Sequence, residues 1–382
     1  MTVADVIEPI SVRGHQILQR DIQSRGKYPV VSQSDNAVEG YTNAEIAITD
    51  VPLVLFGDHT CCLKYIQEPF VVGADGVRLL KSRDGDSEFL YYYLTTLIPS
   101  VEDGRYRRHY VSLTDLEINM PPKEVRGKIG CVLSTIDRKI ALNRKRIATL
   151  EAMAKEIYDY WFVQFDFPDA HGHPYKSSGG AMVYNPDLKR EIPKGWEVGD
   201  FTDLIDFTMG QSPAGSTLNE SGDGVLFFQG ATDFGSFFPS PRQFTDSPVR
   251  MAKAGDVLLS VRAPVGTLNF ASEDCCIGRG LGAFRGKIVG NLFVWFYLKS
   301  LRPYFDSKNV AGTTFGSIGK DDFKMLKSVI PSTSILRVYS DVSDGIFEQM
   351  KLCERAMFND QKIRDFLLPL LMNGQVKIGG AE

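Results

Sequence analysis

What this chain lacks narrows its chemistry before any motif is sought. No run approaches the roughly 20 apolar residues that span a bilayer, and Met1 to Arg13 lacks the basic-then-apolar layout of a secretory leader, so the expectation is a cytoplasmic protein without a membrane partner. Cysteine is scarce: six in 382 residues, two pairs of them adjacent (Cys61-Cys62 and Cys275-Cys276), and none in a C-x-x-C knuckle. Adjacent thiols of this kind build neither a disulfide framework nor a zinc site and read as small apolar residues in buried strands. Positive charge is short as well, since 43 Lys+Arg against 47 Asp+Glu leave a net charge of −4. Free-standing nucleic-acid binders driven by electrostatics are usually basic. A role on DNA therefore requires local patches and partners that supply part of the positive field.

Catalytic equipment is absent in the same way. There is no G-x-x-x-x-G-K-[ST] loop, hence no ATP-driven motor of that kind. Gly278-Arg-Gly-Leu-Gly-Ala283 spells the glycine-rich dinucleotide pattern, but Gly286 follows where a helix should begin and no βαβ unit with a ribose-binding acid surrounds it; tight packing of a strand into a turn accounts for the glycines. Asn119-Met-Pro-Pro122 departs from the Asn-Pro-Pro-aromatic motif of amino-methyltransferases at Met120 and Lys123, and reads as the extended lead-in to a helix. Pro186-Asp187 with Glu191 and Lys194 lacks the Glu-x-Lys spacing of a nuclease carboxylate set. His59 beside Cys61 has no further ligands, and His171-Gly-His173 sits in a loop rich in Pro, Gly and Ser. The expectation is a non-catalytic chain with no catalytic residues, no metal and no cofactor of its own.

What is present is a duplication. Phe89-Leu-Tyr-Tyr-Tyr-Leu94 returns as Phe293-Val-Trp-Phe-Tyr-Leu298, Gly76 as Gly280, and Val54-Leu55 as Leu258-Leu259 under the same offset; the proline-headed helix after Pro121 returns after Pro331. Each copy pairs a globular unit with a long helix. The globular parts mix short β-rich runs such as Leu53-Val-Leu-Phe56 with turn signals such as Asp84-Gly-Asp86. From Lys123 to Val163 there is no proline, and Ile129, Leu133, Ile136, Ile140, Asn143, Ile147, Leu150, Ala154, Ile157 and Trp161 fall alternately four and three apart. That heptad seam, with one polar Asn143, predicts a coiled-coil rod roughly 60 Å long. The second long helix keeps the seam at Tyr339, Ile346, Met350, Cys353, Met357, Leu367 and Leu371, with Ser343, Asp360 and Arg364 breaking it; a shift by one brings Val342 and Ile363 inward instead. Pro369 should end or kink this helix. Each rod has an apolar face to bury, and the economical partner is the other rod. The layout is an α+β chain: residues 1–121 globular, 122–164 long helix, 165–195 linker, 196–331 globular, 332–375 long helix.

This layout resembles the specificity subunits of type I restriction-modification enzymes over essentially the whole chain. The residues that carry the resemblance are Gly255-Asp-Val-Leu-Leu-Ser-Val-Arg-Ala-Pro-Val-Gly266, Gly278-Arg-Gly-Leu-Gly-Ala-Phe284, Gly312-Thr-Thr-Phe-Gly-Ser-Ile318, and Phe165-Asp-Phe-Pro-Asp-Ala-His-Gly-His-Pro-Tyr-Lys-Ser-Ser-Gly-Gly180 leading to Ile192-Pro-Lys-Gly-Trp196. The first half departs from it, with no Ile-Pro-x-Gly-Trp lead-in before Val3-Ala-Asp-Val6 and Asp58-His-Thr-Cys-Cys62 in place of Arg262-Ala-Pro-Val-Gly266. The resemblance implies two target recognition domains related by a pseudo-twofold, joined by long helices packed as an antiparallel coiled coil, each domain reading half of a split double-stranded DNA site. A rod of this length suits half-sites somewhat more than one helical turn apart, a turn being about 34–36 Å. It also implies modification (methyltransferase) subunits that bind S-adenosylmethionine, and restriction subunits that use ATP to translocate and cut DNA.

Candidate DNA contacts follow from charge and from the repeat. Arg105, Arg107, Arg108, His109 and Tyr110 precede the first long helix where Lys308, Asn309, Thr313 and Thr314 precede the second, and Gln229, Arg262 and Arg279 add donors in the second half. Arg, Asn and Gln suit base edges, and Lys suits phosphate. A solvated surface loop and ordinary surface ion pairs are the competing explanations for these residues. The acidic balance leaves open a coiled-coil scaffold that binds protein without DNA specificity.

Overall fold

Leu53-Val-Leu-Phe56 is apolar at every position because its strand is covered on both faces, so the usual in-out alternation disappears. The structure is a computed structural model and describes residues 1–73, 76–101, 107–310 and 317–376, the side chains of residues 309 and 310 excepted. Two units divide the chain, Met1–Ala141 with Met357–Glu382, and Leu142–Ala356.

Unit 1 begins with a short helix α1 (Val3–Val6) and strands β1 (Ile7–Ile10), β2 (Tyr28–Val31), β3 (Gly40–Thr42), β4 (Leu53–Gly57), β5 (Leu63–Ile66), β6 (Val71–Val72) and β7 (Val77–Ser82). Helices α2 (Ser87–Val101) and α3 (Tyr110–Thr114) follow, and then the start of α4 (Lys123–Tyr158). The strands make a four-stranded sheet in the order β1-β7-β4-β5 and a three-stranded sheet in the order β3-β2-β6. Val54 and Phe56 face one way, into a cluster with Phe89, Leu90 and Leu94 of α2. Leu53 and Leu55 face the other, against Val31, Phe70 and Val72 around the small sheet. One central strand thus feeds two cores.

Unit 2 repeats the plan. It opens with the end of α4 and adds β8 (Met182–Asn185), β9 (Arg190–Pro193), β10 (Glu197–Asp200), α5 (Phe201–Leu204), β11 (Ile205–Met209), β12 (Leu218–Asn219), β13 (Val225–Phe228), β14 (Gln243–Thr245), β15 (Met251–Ala252), β16 (Val257–Ser260), β17 (Leu268–Phe270), β18 (Cys275–Ile277) and β19 (Leu281–Gly286). After these come α6 (Asn291–Ser300), α7 (Arg302–Val310), α8 (Lys320–Lys324), β20 (Lys327–Ile330) and the start of α9 (Thr333–Met372). The order β11-β19-β16-β17 mirrors β1-β7-β4-β5, and β13 pairs in parallel with β18 as β2 does with β6. The register corrects the repeat at one strand. Val54 opposes Leu80 and Val257 opposes Phe284, so Val54-Leu55 corresponds to Val257-Leu258 rather than to Leu258-Leu259. The physical reason is the two-residue side-chain period: a slip of one would have sent the helix-facing set to the wrong core. Burial pushes the Cys275 thiol up to about 12, in keeping with a side chain that packs and does not react.

The long helices bury the unshifted stripe. In unit 1, Ile129 and Leu133 of α4 join the α2 cluster together with Leu371 and Met372 of α9, while Leu367 packs at its edge. Arg364 donates to Asp137 at 2.8 Å, and the Tyr92 hydroxyl donates to the same carboxylate at 2.6 Å, so the charged break in the stripe is paired. In unit 2, Ile147, Ala154 and Tyr158 of α4 share a cluster with Tyr339, Phe347 and Met350, with Leu150, Ile157, Ile346 and Cys353 against it. Ile136 and Asn143 are half-buried, and Ile140 and Met357 are buried. Val342 and Ile363 remain 43% and 49% exposed, which rules out the shifted register. Ser343 is nonetheless only 2% exposed, because its hydroxyl donates to the Ser340 carbonyl within the helix. Pro369 lies inside α9, which runs on to Met372.

Residues 165–195, expected as a linker, fall within unit 2 and pack into its core. A π-turn at Asp159–Val163 turns both Trp161 and Phe162 inward. Beyond it Phe165 and Phe167 are buried, and Phe167 stacks on Trp196 at 4.8 Å and on Tyr175 at 4.7 Å. Asp166 accepts the N–H and hydroxyl of Ser177 at 2.7 and 2.6 Å, closing the Pro/Gly-rich turn, and β8 and β9 form a hairpin. Aromatic anchors decide the matter where glycine and proline suggested freedom.

Tyr339 lies at the centre of this cluster, with ring centroids at 4.8 Å from Phe162 and 5.7 Å from Trp161, and among the described residues its buried hydroxyl has no partner. An unpaired buried hydroxyl costs about 1–3 kcal/mol. Tyr339→Phe should therefore raise stability by about 1 kcal/mol, while Tyr339→Ala should lose about 3–5 kcal/mol, as read from urea denaturation midpoints.

Candidate nucleic-acid interface

Because β4 and β16 are held from both faces, the residues just beyond them emerge in fixed positions. In unit 1 that residue is Asp58, 1% exposed. Its backbone N–H donates to the Gly76 carbonyl at 2.7 Å, and its own carbonyl accepts the His109 N–H at 2.8 Å. The carboxylate takes Arg78 Nε and Nη2 on Oδ2 at 3.2 and 3.1 Å, and the Tyr110 N–H on Oδ1 at 2.9 Å. The Arg78 guanidinium also lies over the Tyr110 ring, 5.1 Å from its centroid. His59 Nδ1 donates to the Arg107 carbonyl at 3.2 Å. One buried carboxylate thus bolts the segment before α3 to the end of β4.

That bolt sorts the sequence candidates. Arg107 and Arg108 are exposed side by side. His109 is 2% exposed and faces inward, its main-chain bond to Asp58 drawing it under the loop. Tyr110 is half-buried beneath Arg78, and burial pushes its hydroxyl pKa up. Arg105 lies outside the described residues.

In unit 2 the same main-chain bonds recur with other side chains. Val261 N–H donates to the Gly280 carbonyl at 2.9 Å and Ile318 N–H to the Val261 carbonyl at 3.0 Å, matching Asp58 to Gly76 and His109 to Asp58. Next to Val261 stands exposed Arg262, bridged to Ser317. Close by, three backbone segments interlock. Gly210 N–H donates to Leu281 O at 2.9 Å, Gln211 N–H to Ile277 O at 2.9 Å, and Gly278 N–H to Phe228 O at 2.8 Å. Arg279 tops this knot, exposed, and donates its backbone N–H to Ser212 Oγ at 3.2 Å; Ser212 Oγ donates to Gln229 Oε1 at 2.9 Å. Among the described residues neither Arg262 nor Arg279 has an ion-pair partner. Gly280 is required by close approach, since a Cβ there would lie 2.5 Å from the Gln229 carbonyl, and a Cβ at Gly278 would press on Gln229 Oε1 at 2.7 Å. The glycine-rich run continues into strand β19 with no helix after it, so it is a packing device and no phosphate cradle.

The remaining candidates are separate from this knot. Lys308 is ion-paired with Asp322 at 2.9 Å and lies over the Tyr304 ring, and its bond to Asp322 raises its pKa, so its charge is already answered. The Asn309 side chain and Thr313 and Thr314 lie outside the described residues. Sequence reasoning missed Gln211, Ser212, Asp58 and Arg78. Only the glycine at 210 hinted at the first two, and only the change from Arg262-Ala-Pro to Asp58-His-Thr hinted at the last pair. No group of three or more His, Cys, Asp and Glu side chains that would hold a metal occurs among the described residues; the backbone N–H groups of His171 and His173 donate to Asp169 Oδ1 at 2.8 and 2.9 Å. No described helix is long and apolar enough to cross a membrane.

Two copies of one strand plan, each carrying exposed polar residues beside the end of its central strand, define an internally duplicated chain of mixed helix and strand. The chain belongs to the type I restriction modification DNA specificity domain family, which it matches over residues 1–152 and again over 193–344. It is 28% identical over 319 residues to the putative type I restriction enzyme MjaX specificity subunit of Methanocaldococcus jannaschii, covering 79% of this chain and 72% of that one. It is 23% identical over 326 residues to the HindI specificity subunit of Haemophilus influenzae, covering 69% and 70%. In fold it is similar to the S subunit of a type I restriction-modification system from M. genitalium, with a TM-score of 0.63 at 15% identity over 100% of this chain and 96% of that one.

Removing the bolt in unit 1 should free its loop. Asp58→Ala leaves Arg78 and the Tyr110 N–H without their acceptor, at a cost of about 1–3 kcal/mol. Trypsin should then cut after Arg107 or Arg108 several-fold faster than in the parent protein, with the fragments read by mass spectrometry.

Proposed function

We propose that this chain is the DNA-recognition subunit of a type I restriction-modification complex, reading a bipartite, asymmetric site with one domain per half. The observation that carries the reading is the duplication itself: equal strand order in the two four-stranded sheets and equal main-chain bonds at the ends of β4 and β16, with different side chains mounted on them. One scaffold with two side-chain sets is what an asymmetric target demands. On this reading α4 and α9 pack antiparallel as a ruler, and their length sets the unspecified gap between half-sites. Arg107 and Arg108 in unit 1, and Arg262 and Arg279 in unit 2, are exposed cations offered to DNA, with Gln229 next to Arg279.

The same reading assigns the chemistry to other polypeptides. Modification subunits that bind S-adenosylmethionine and methylate adenine, and restriction subunits that translocate and cut DNA, dock on this chain in the cytoplasm; it supplies the address and performs no reaction. Its net charge of −4 fits a subunit whose partners contribute much of the field that holds the phosphates.

Methylome sequencing of cells carrying this chain with its modification partner should show a bipartite motif with a constant gap. Exchange of residues 1–120 should change one half of the motif and leave the other, and exchange of residues 196–330 should do the converse. A single continuous motif would overturn the two-headed reading. Separately, DNA retention by the assembled modification complex should weaken steeply as salt rises, and Arg262→Ala with Arg279→Ala should lower the slope of log affinity against log salt by up to about 2 if both meet phosphate. A protein-binding scaffold would show neither behaviour.

A further inference from the structure

Resting on the reading of unit 2 as a DNA reader, we infer that Gln229 is a base-reading residue that presents hydrogen-bond donors and no acceptor, and so selects guanine over adenine. A glutamine that reads adenine turns both ends of its amide outward, the oxygen to N6–H and the nitrogen to N7. Gln229 has one end committed. Its Oε1 accepts the Ser212 hydroxyl at 2.9 Å and sits over residue 278, where an added Cβ would fall 2.7 Å from it. The carbonyl oxygen is therefore turned into the protein.

The direction of the Ser212 bond follows from the atom it meets. An amide oxygen only accepts, so the Ser212 hydroxyl donates its proton to Gln229 Oε1 at 2.9 Å, while a lone pair of the same Oγ accepts the Arg279 N–H at 3.2 Å. Nε2, with two N–H donors, is the end left to meet a ligand. The backbone beneath is fixed as well, since Gln229 N–H donates to buried Asp233 at 3.0 Å and Asp233 pairs with Arg242 at 3.6 Å. Exposed Arg279 adds donors next door.

In the major groove guanine offers two acceptors, O6 and N7, whereas adenine sets an N6 donor beside N7. A surface of donors complements guanine and leaves the adenine N6–H group facing another donor. Ser212, which touches no base on this account, acts as a positioning residue that withholds the acceptor.

The test presents a pool of randomised duplexes to the complex of this chain with its modification subunits and sequences what is retained. The half-site that follows residues 196–331 should contain a G·C pair at which Gln229→Ala loses discrimination by about tenfold or more, with other positions unchanged. Ser212→Ala, which releases the oxygen, should admit A·T at that same pair. Gln229→Glu keeps an oxygen for Ser212 but replaces the outward donor, and should lose the preference for guanine there alone. An A·T requirement at the Gln229-dependent pair, no pair that depends on Gln229, or a uniform loss at every position in both Gln229 variants would overturn the inference. A parent complex that selects no sequence at all would instead overturn the reading of the chain as a DNA reader.

Discussion

The two-sided burial of a central strand is the constraint on which each unit depends. β4 and β16 carry apolar side chains on both faces because each strand is shared between a helix-covered core and a second sheet. Neither strand can shift register without turning both cores inside out. Whatever follows such a strand is delivered to a fixed place, and in both units that place is where the exposed polar loops gather.

Burial also explains how the long helices tolerate polar interruptions. Ser343 satisfies its hydroxyl within its own helix, and Arg364 meets Asp137, so the stripe continues through residues that hydropathy alone would expel. Asp137 in turn takes the Tyr92 hydroxyl, which ties α2 to α4 inside unit 1; burial, together with that bond, pushes the tyrosine's pKa well up. At the other end of α4 the aromatic cluster of Tyr158, Trp161, Phe162 and Tyr339 performs the same joining task within unit 2 by packing alone.

Much of this architecture was legible in the sequence, and its limits have physical causes. The duplication and the seam positions on α4 could be read because helix periodicity repeats over many turns and averages out single exceptions. The repeat was misplaced by one residue at Val54-Leu55, since two adjacent apolar residues give no sign of which faces which core. Phe165 and Phe167 were lost inside a segment whose glycines and prolines spoke louder than its aromatics. His109 looked like a surface cation beside three arginines, and only a main-chain bond from a distant strand end shows that it faces inward. Ser212 gave no sign in the sequence, because its bonds run to residues 17 and 67 positions away.

The anchoring of each exposed loop by peptide groups has an evolutionary consequence. Gly76 and Gly280 accept from the main chain beyond their central strands, and those residues accept from His109 and Ile318 in turn, through atoms that every amino acid except proline possesses. Inheritance can therefore exchange the side chains at these sites, or splice in a whole domain from a relative, without renegotiating the framework that holds them. A lineage built this way changes its vocabulary while keeping its grammar.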